Sequence, residues 1–471
     1  MASKTRVQSP NLSIEELRTT FPDRVIAPND SEYDKARTTF YGGIDRRPAV
    51  IVRVTNADEV ARVIGLARET GLELAIRSGG HSVIGHCVSD GGIVLDLAIM
   101  RGLQIDVEDR IAWAEAGLTA AEYTNAVGSY GLATGFGDTG SVGIGGITLG
   151  GGVGYLVRKY GLTIDSLLAA ELVTSDGQFL HVDDKTNPDL FWAIRGGGGN
   201  FGVVTRFKFR LHEVPSAVGG MLFLPATVDS IASFISLAES APEELSTIAN
   251  VVTAPPMPFL PAEYYGKPVI MGMLVYAGDV VEGERILAPF REITTPLADM
   301  MRPMNYPEIY QPEPEDYHPV GANRTMFVDS IDREVAKRIL DYLTLSNATM
   351  AVAQLRVLGG AMARVSVDAT AFAHRNSKIM VNVAALYEQP AQKAEHEVWA
   401  TNFAGALQQT DKGAYVNFLS AEGADALRAA YPSETLRRLA AIKAKYDPTN
   451  LFRVNANIVP RTPVLASPDL R

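Results

Sequence analysis

The residues best suited to chemistry fall in a few short stretches. Arg77-Ser78-Gly79-Gly80-His81-Ser82 puts a cation, two glycines and an imidazole into one turn. Such a turn offers backbone N–H groups to an anion, and a ring that is largely neutral, hence nucleophilic, near pH 7. Some sixty residues on, GFGDTGSVGIGGITLGGGVG (135–154) holds ten glycines in twenty positions. Glycine at that density loses conformational entropy on folding, so it implies positive φ or close approach of bare main chain to a ligand. Phosphate oxygens are what exposed N–H groups bind best, and a dinucleotide is the leading ligand class. Gly197-Gly198-Gly199-Asn200-Phe201-Gly202 satisfies G-x-G-x-x-G, but it leads into the alternating strand pattern of 203–211 rather than opening a helix, which excludes a Rossmann fingerprint. No Walker A motif is present.

The elements that must position these groups are readable nearby. Residues 49–54 are β-rich. Asn56 can cap a helix whose apolar Val60, Val63, Ile64 and Ala67 share a face, with Gly71 as its stop. Residues 73–77 and 93–97 read as short strands. Thr119-x-x-Glu122 is a capping box opening a helix expected to end at Gly131. Residues 170–182 read as a hairpin turning at Asp176-Gly177, and 188–194 as a short helix with proline in its first turn. From 215 to 431 glycine thins out and longer β-rich segments, such as 269–276 and 379–387, alternate with helical stretches. This pattern predicts a second domain with a mixed or antiparallel sheet.

Composition narrows the function classes. The chain has 471 residues, with 43 Lys+Arg against 54 Asp+Glu and a formal charge of −11. The acidic balance is scattered, with no basic stripe for a nucleic-acid partner. The single cysteine, Cys87, excludes an internal disulfide and a cysteine-built zinc site, and no metal is expected. There is no apolar run of about 18 residues for a membrane span and no secretory pattern at the N-terminus, so a cytoplasmic protein is expected.

Four ordered motifs, RSGGHS (77–82), TGSVGIGGITLGGGVG (139–154), LFWAIRGGGGNFGVV (190–204) and YDPTNLFRVNANI (446–458), give the chain its resemblance to a family. It resembles the FAD-linked oxidases of the vanillyl-alcohol-oxidase/PCMH superfamily, in their berberine-bridge-enzyme-like branch with the bacterial hydroxynicotine-oxidase-like members. The resemblance implies an α+β fold: a two-part PCMH-type FAD-binding domain (1–214, completed by 432–471) and a substrate domain (215–431) with a mixed or antiparallel sheet covered by helices.

By the same resemblance His81 carries FAD on an 8α covalent link, with Arg77, Ser78, Gly79, Gly80 and Ser82 around the diphosphate. Thr139, Ser141, Gly145, Gly146, Gly150, Gly151, Gly152 and Gly154 run beside the flavin and the diphosphate. Gly199, Asn200, Gly202 and Val204 meet the adenosine or diphosphate, and Tyr446, Asn455 and Asn457 close over the ring. Many members add a cysteinyl link. Gly145 is aligned with that cysteine, so a single link is expected, with Cys87 as packing and His86 a weaker attachment candidate.

Tyr415 and Asn417 match a Tyr-x-Asn segment near the flavin. Tyr415 is expected either to handle a substrate proton or to pack in the core, and Asn417 to bond substrate; Tyr387 and the His374-Arg375 pair come second. The implied activity is hydride removal from an alcohol, sugar hydroxyl or cyclic amine of a small molecule, with O2 reduced to hydrogen peroxide. The alternatives are a dehydrogenase or tailoring enzyme using another acceptor, and a module that only carries flavin.

Overall fold

The computed structural model describes residues 12–461 except 315, 421 and 422. Among these residues the strands form a four-stranded, a five-stranded and an eight-stranded sheet with one two-stranded ribbon. In the first sheet Val50–Arg53, Ile93–Asp96 and Leu74–Arg77 run parallel, and Val25–Ile26 adds an antiparallel edge. Parallel strands are covered on both faces and therefore read as unbroken apolar runs, as Val50, Ile51 and Val52 do. The covering helix Ala57–Thr70 starts where the Asn56 side chain accepts the Glu59 N–H and stops at Gly71 (φ 69°). It buries Val60, Val63, Ile64 and Ala67, the face expected from their spacing.

Strand Leu74–Arg77 ends at the 78–82 turn, which is how the first sheet delivers His81. The five-stranded antiparallel sheet runs Leu103–Asp106, Ile111–Glu115, Val203–Arg210, Leu167–Val173, Phe179–Asp183. Its last two strands are the expected hairpin, with Gly177 at φ 87° in the turn. The Thr119/Glu122 capping box forms, but its helix Ala120–Gly128 ends three residues before Gly131. Gly131 instead closes the following turn, donating its N–H to the Gly128 carbonyl. The glycine segment is less open than its composition implies: Ile144–Gly150 is a helix.

The eight-stranded sheet is antiparallel, with Ala217–Pro225, Pro268–Tyr276, Leu245–Thr253, Met350–Val357, Ile379–Leu386 and Gly321–Val328 in order. Helices Val228–Ser240, Val280–Arg291, Arg333–Thr344 and Lys393–Leu407 cover one face through Phe234, Leu287, Ile339 and Phe403. Because side chains alternate across a strand, the same strands present Asn323, Gln354, Arg356 and Asn382 on the opposite face. The chain then returns: helix Ser433–Tyr446 buries Leu439, Ala440 and Ile442 in the core of the first two sheets.

Candidate functional site

A cavity of about 1630 Å³ lies where these layers meet. That exceeds the roughly 300–1,000 Å³ of a site for one drug-sized ligand. One wall is the 78–82 turn and the glycine helix, another is the 198–204 stretch with residues 452–461, and the third is the amide-bearing face of the large sheet.

Ser78, Gly79, Gly80, His81, Ser82, Thr139, Gly145, Gly146, Gly199, Asn200, Gly202, Val204, Asn455 and Asn457 all line this cavity, although the sequence scatters them over nearly 400 positions. Glycine serves two purposes here. A Cβ on Gly79 would stand 2.1 Å from the Gly143 nitrogen, so these two stretches pack main chain on main chain. A Cβ on Gly146 or Gly199 would meet nothing within 4 Å; at those positions the missing side chain leaves room in the cavity itself. Asn200, fully buried, stitches the two stretches of the second wall: its Nδ2 donates to the Gly197 and Ala456 carbonyls and its Oδ1 accepts the Ile458 N–H. The buried Oδ1 atoms of Asn455 and Asn457 have no protein partner among the described residues. Bare N–H groups, open glycines and unspent amide oxygens fit a group carrying phosphates, hydroxyls and ring N–H donors, as FAD does.

His81 stacks on Phe40 at 4.0 Å between ring centres, and its Nε2 meets the Ser141 hydroxyl at 3.0 Å. Burial pushes its pKa down to about 4, so the ring is neutral and nucleophilic at physiological pH. At the far side, Tyr415 packs among Val153, Phe372 and Phe418, and its hydroxyl oxygen accepts N–H bonds from Gly152 (2.9 Å) and the Asn417 Nδ2 (2.9 Å). Burial raises the phenol above its usual range, opposed by these donors and by the Arg356 charge.

Other expected residues either lie outside the cavity or spend their groups on protein neighbours. Arg77 does not reach the cavity, because its guanidinium is spent on the Ala36 and Thr38 carbonyls. Ser141 stands outside the cavity lining, behind His81. Gly150 packs against Asn417, Gly151 against Phe372 and Gly154 against the Phe136 carbonyl, so these three serve close packing. Gly145 faces Ser78 from within the glycine helix. Asn417 lines the cavity and spends its Nδ2 on Tyr415 and on the Ile147 carbonyl, so it also holds Tyr415 in place. Tyr446 donates to Asp189 at 3.0 Å, outside the cavity, because the helix that ends there turns this face toward Pro188–Ile194. Tyr387 is buried against His396, also outside. His374 donates to the Ala430 carbonyl, and Arg375 is a buried partner of Asp165. Cys87 does line the cavity, with burial raising its thiol.

Sequence reading missed Phe40, Asp138 and the polar sheet face. Arg356, 4% exposed, pairs with Asp138 at 2.5 Å and with Gln354 at 2.8 Å, and Asn323 bonds Asn382. Their signal was available: polar residues at alternate positions of otherwise apolar strands.

With this geometry in place, comparison with known proteins is informative. Residues 48–183 match the FAD binding domain model and residues 414–459 the berberine and berberine-like model. The (R)-6-hydroxynicotine oxidase of Paenarthrobacter nicotinovorans is 30% identical over 454 residues, covering 93% of this chain and 96% of the relative. Glucooligosaccharide oxidase of Sarocladium strictum is 28% identical, covering 92% and 91%. The crystal structure of 6-hydroxy-D-nicotine oxidase from Arthrobacter nicotinovorans superposes with a TM-score of 0.82 at 28% identity, covering 93% and 98%. The chain belongs to the berberine-bridge-enzyme-like family of FAD-linked oxidoreductases, and it is an FAD-dependent enzyme. Among the described residues no helix is long and apolar enough to cross a membrane.

Proposed function

We propose that the protein is an oxidase that takes hydride from an alcohol, a sugar hydroxyl or a cyclic amine of a small molecule, holds its FAD through one covalent bond to His81, and reduces O2 to hydrogen peroxide. The observation that carries this reading is the convergence, in one cavity, of a neutral histidine, a glycine cradle and a tyrosine whose oxygen is held by two N–H donors. FAD, when bound, supplies the hydride acceptor.

The remaining work falls to this chain. The main chain at Ser78–Gly80 would hold the diphosphate, and the free oxygens of Asn455 and Asn457 would accept from the flavin's N–H and hydroxyl groups. Tyr415 takes the substrate's hydroxyl proton. The Gly152 and Asn417 donors favour its ionised form and leave one direction at the oxygen for substrate, while Arg356 adds a positive potential. Asn323, Gln354 and Asn382 supply amides to orient a polar substrate. The hydroxynicotine oxidase and the glucooligosaccharide oxidase among the relatives support an amine or a sugar as the two substrate classes to try first. The division at 214/215 and 431/432 is supported by the sheet change between Val203–Arg210 and Ala217–Pro225 and by the return of Ser433–Tyr446.

The test is acid precipitation of the purified protein followed by a peroxide-coupled panel of hydroxynicotines, amines and oligosaccharides. A yellow pellet that turns colourless in His81→Ala, with peroxide formed on one class, is expected. Reduction of the flavin by substrate without reoxidation in air would replace the oxidase by a dehydrogenase.

A further inference from the structure

Resting on the reading that His81 is the flavin anchor, the geometry points to a second function for the glycine segment and the loop after Tyr310. Ser141 and Glu313 form a proton relay that drives covalent attachment. Ser141 Oγ lies 3.0 Å from His81 Nε2, and the same hydroxyl donates to the Glu313 carboxylate. Glu313 comes from the far side of the chain, 172 positions away, and sits at the solvent-facing end of this row. The ring is fixed on its other side by Phe40, whose carbonyl meets His318 Nδ1 (3.2 Å) and whose ring meets Tyr317. The Gly42 N–H donates to the Pro319 carbonyl, so the loop is tied down around the histidine.

This arrangement assigns the nitrogens. A carboxylate that takes the serine's proton leaves the serine oxygen to accept from Nε2–H, so the ring is held in the Nε2–H tautomer and Nδ1 is the nitrogen with a free lone pair. On attachment, a bond forms between Nδ1 and the flavin's 8α carbon. One C–H bond of the methyl group breaks and one N–H bond at Nε2 breaks. Two electrons leave through the flavin to dioxygen, which with two protons becomes hydrogen peroxide. The proton from Nε2 passes to Ser141, whose own goes to Glu313 and then to solvent. Without the relay, Nε2 keeps its proton and the linked ring is left cationic in a site that disfavours charge. Neither residue lines the cavity, so both are positioning and proton-accepting groups for maturation rather than for turnover.

The experiment compares wild type, Ser141→Ala, Glu313→Ala and Glu313→Asp, each purified with the FAD it carries and incubated aerobically with added FAD. Covalent flavin is read by in-gel fluorescence after denaturation, and total bound flavin by absorbance. Ser141→Ala and Glu313→Ala should bind FAD but link it about 100-fold more slowly, the lower end of what a positioned proton acceptor contributes. Glu313→Asp should retain most of the rate, and added formate should accelerate Glu313→Ala while leaving Ser141→Ala unchanged. Linking at the wild-type rate in both alanine variants overturns the relay. So does loss of FAD binding in both, which would make the pair structural. Release of all colour from wild type in acid overturns the His81 anchor itself, a result the variants alone cannot produce.

Discussion

Lys443 offers the sharpest test of how the cavity is held together. Both it and Asp447 are 0% exposed, and the ammonium donates to Asp447 Oδ2 (2.6 Å), to the Asn200 carbonyl (2.7 Å) and to the Phe452 carbonyl (2.8 Å). Asp447 in turn accepts the Leu451 and Phe452 N–H groups, each at 2.8 Å. One side chain thus ties both stretches of the second wall to the helix Ser433–Tyr446. Burial lowers the lysine's pKa and the Asp447 charge opposes that shift.

Lys443→Met keeps the volume but strands a buried carboxylate, leaves the Asn200 carbonyl without its lysine donor and leaves the Phe452 carbonyl only the Asn455 Nδ2 at 3.1 Å. Breaking one side of a buried pair costs about 3–5 kcal/mol, and the unsatisfied Asn200 carbonyl adds about 1–3 kcal/mol if water cannot reach it. At a urea slope of about 3 kcal/mol per M, the midpoint should fall by at least about 1 M. Trp192 lies under the Arg438 guanidinium of the same helix at 3.7 Å, so its fluorescence reports undocking of the return. Adding Asp447→Asn should recover part of the loss, since it removes the stranded charge and not the orphaned Asn200 carbonyl. A midpoint within about 0.3 M of wild type, equivalent to about 1 kcal/mol at that slope, would refute the reasoning.

The other predictions concern the cavity. Tyr415→Phe should slow flavin reduction by substrate about 100-fold or more without releasing FAD, read by stopped-flow absorbance; an unchanged rate would leave Tyr415 a packing residue. Gly146→Val should fold yet bind FAD weakly, because its side chain enters open cavity, whereas Gly79→Ala should fail to fold, because its methyl meets the Gly143 main chain; circular dichroism and flavin content separate the two. His81 has its folded pKa lowered from 6.5 to about 4, so the neutral ring is the favoured form. Its contribution to stability is fully present above 6.5 and is lost as pH falls through that window. Covalent attachment, followed by in-gel fluorescence, should therefore stay flat across 6.5 and fall only toward about 4; a decline centred on 6.5 would contradict the buried setting of this ring.

What the sequence disclosed was local. The caps at Asn56 and Thr119, the Asp176-Gly177 turn and the glycine stretches depend on residues within a few positions, and each element formed where its pattern stood, though the Thr119 helix ended earlier than Gly131 implied. What it withheld was direction and distance. Asp138 and Arg356 are 218 positions apart, and only the packing of the large sheet on the glycine segment brings them together. Tyr446 belongs to a motif whose later members, Asn455 and Asn457, line the cavity, yet the helix turns its hydroxyl toward Asp189. Arg77 likewise belongs to the right turn, but two carbonyls of the 36–38 segment claim its charge.

The large sheet separates two kinds of mutational freedom by parity. Gln354, Arg356, Asn382 and Ala384 face the cavity, while Leu355, Val357, Val381 and Val383 lie under the helices. A laboratory evolution library confined to Gln354, Asn382 and Ala384 would vary the cavity wall on a backbone whose helical backing and buried Arg356–Asp138 pair stay untouched, so altered selectivity and intact folding could be sought in the same clones.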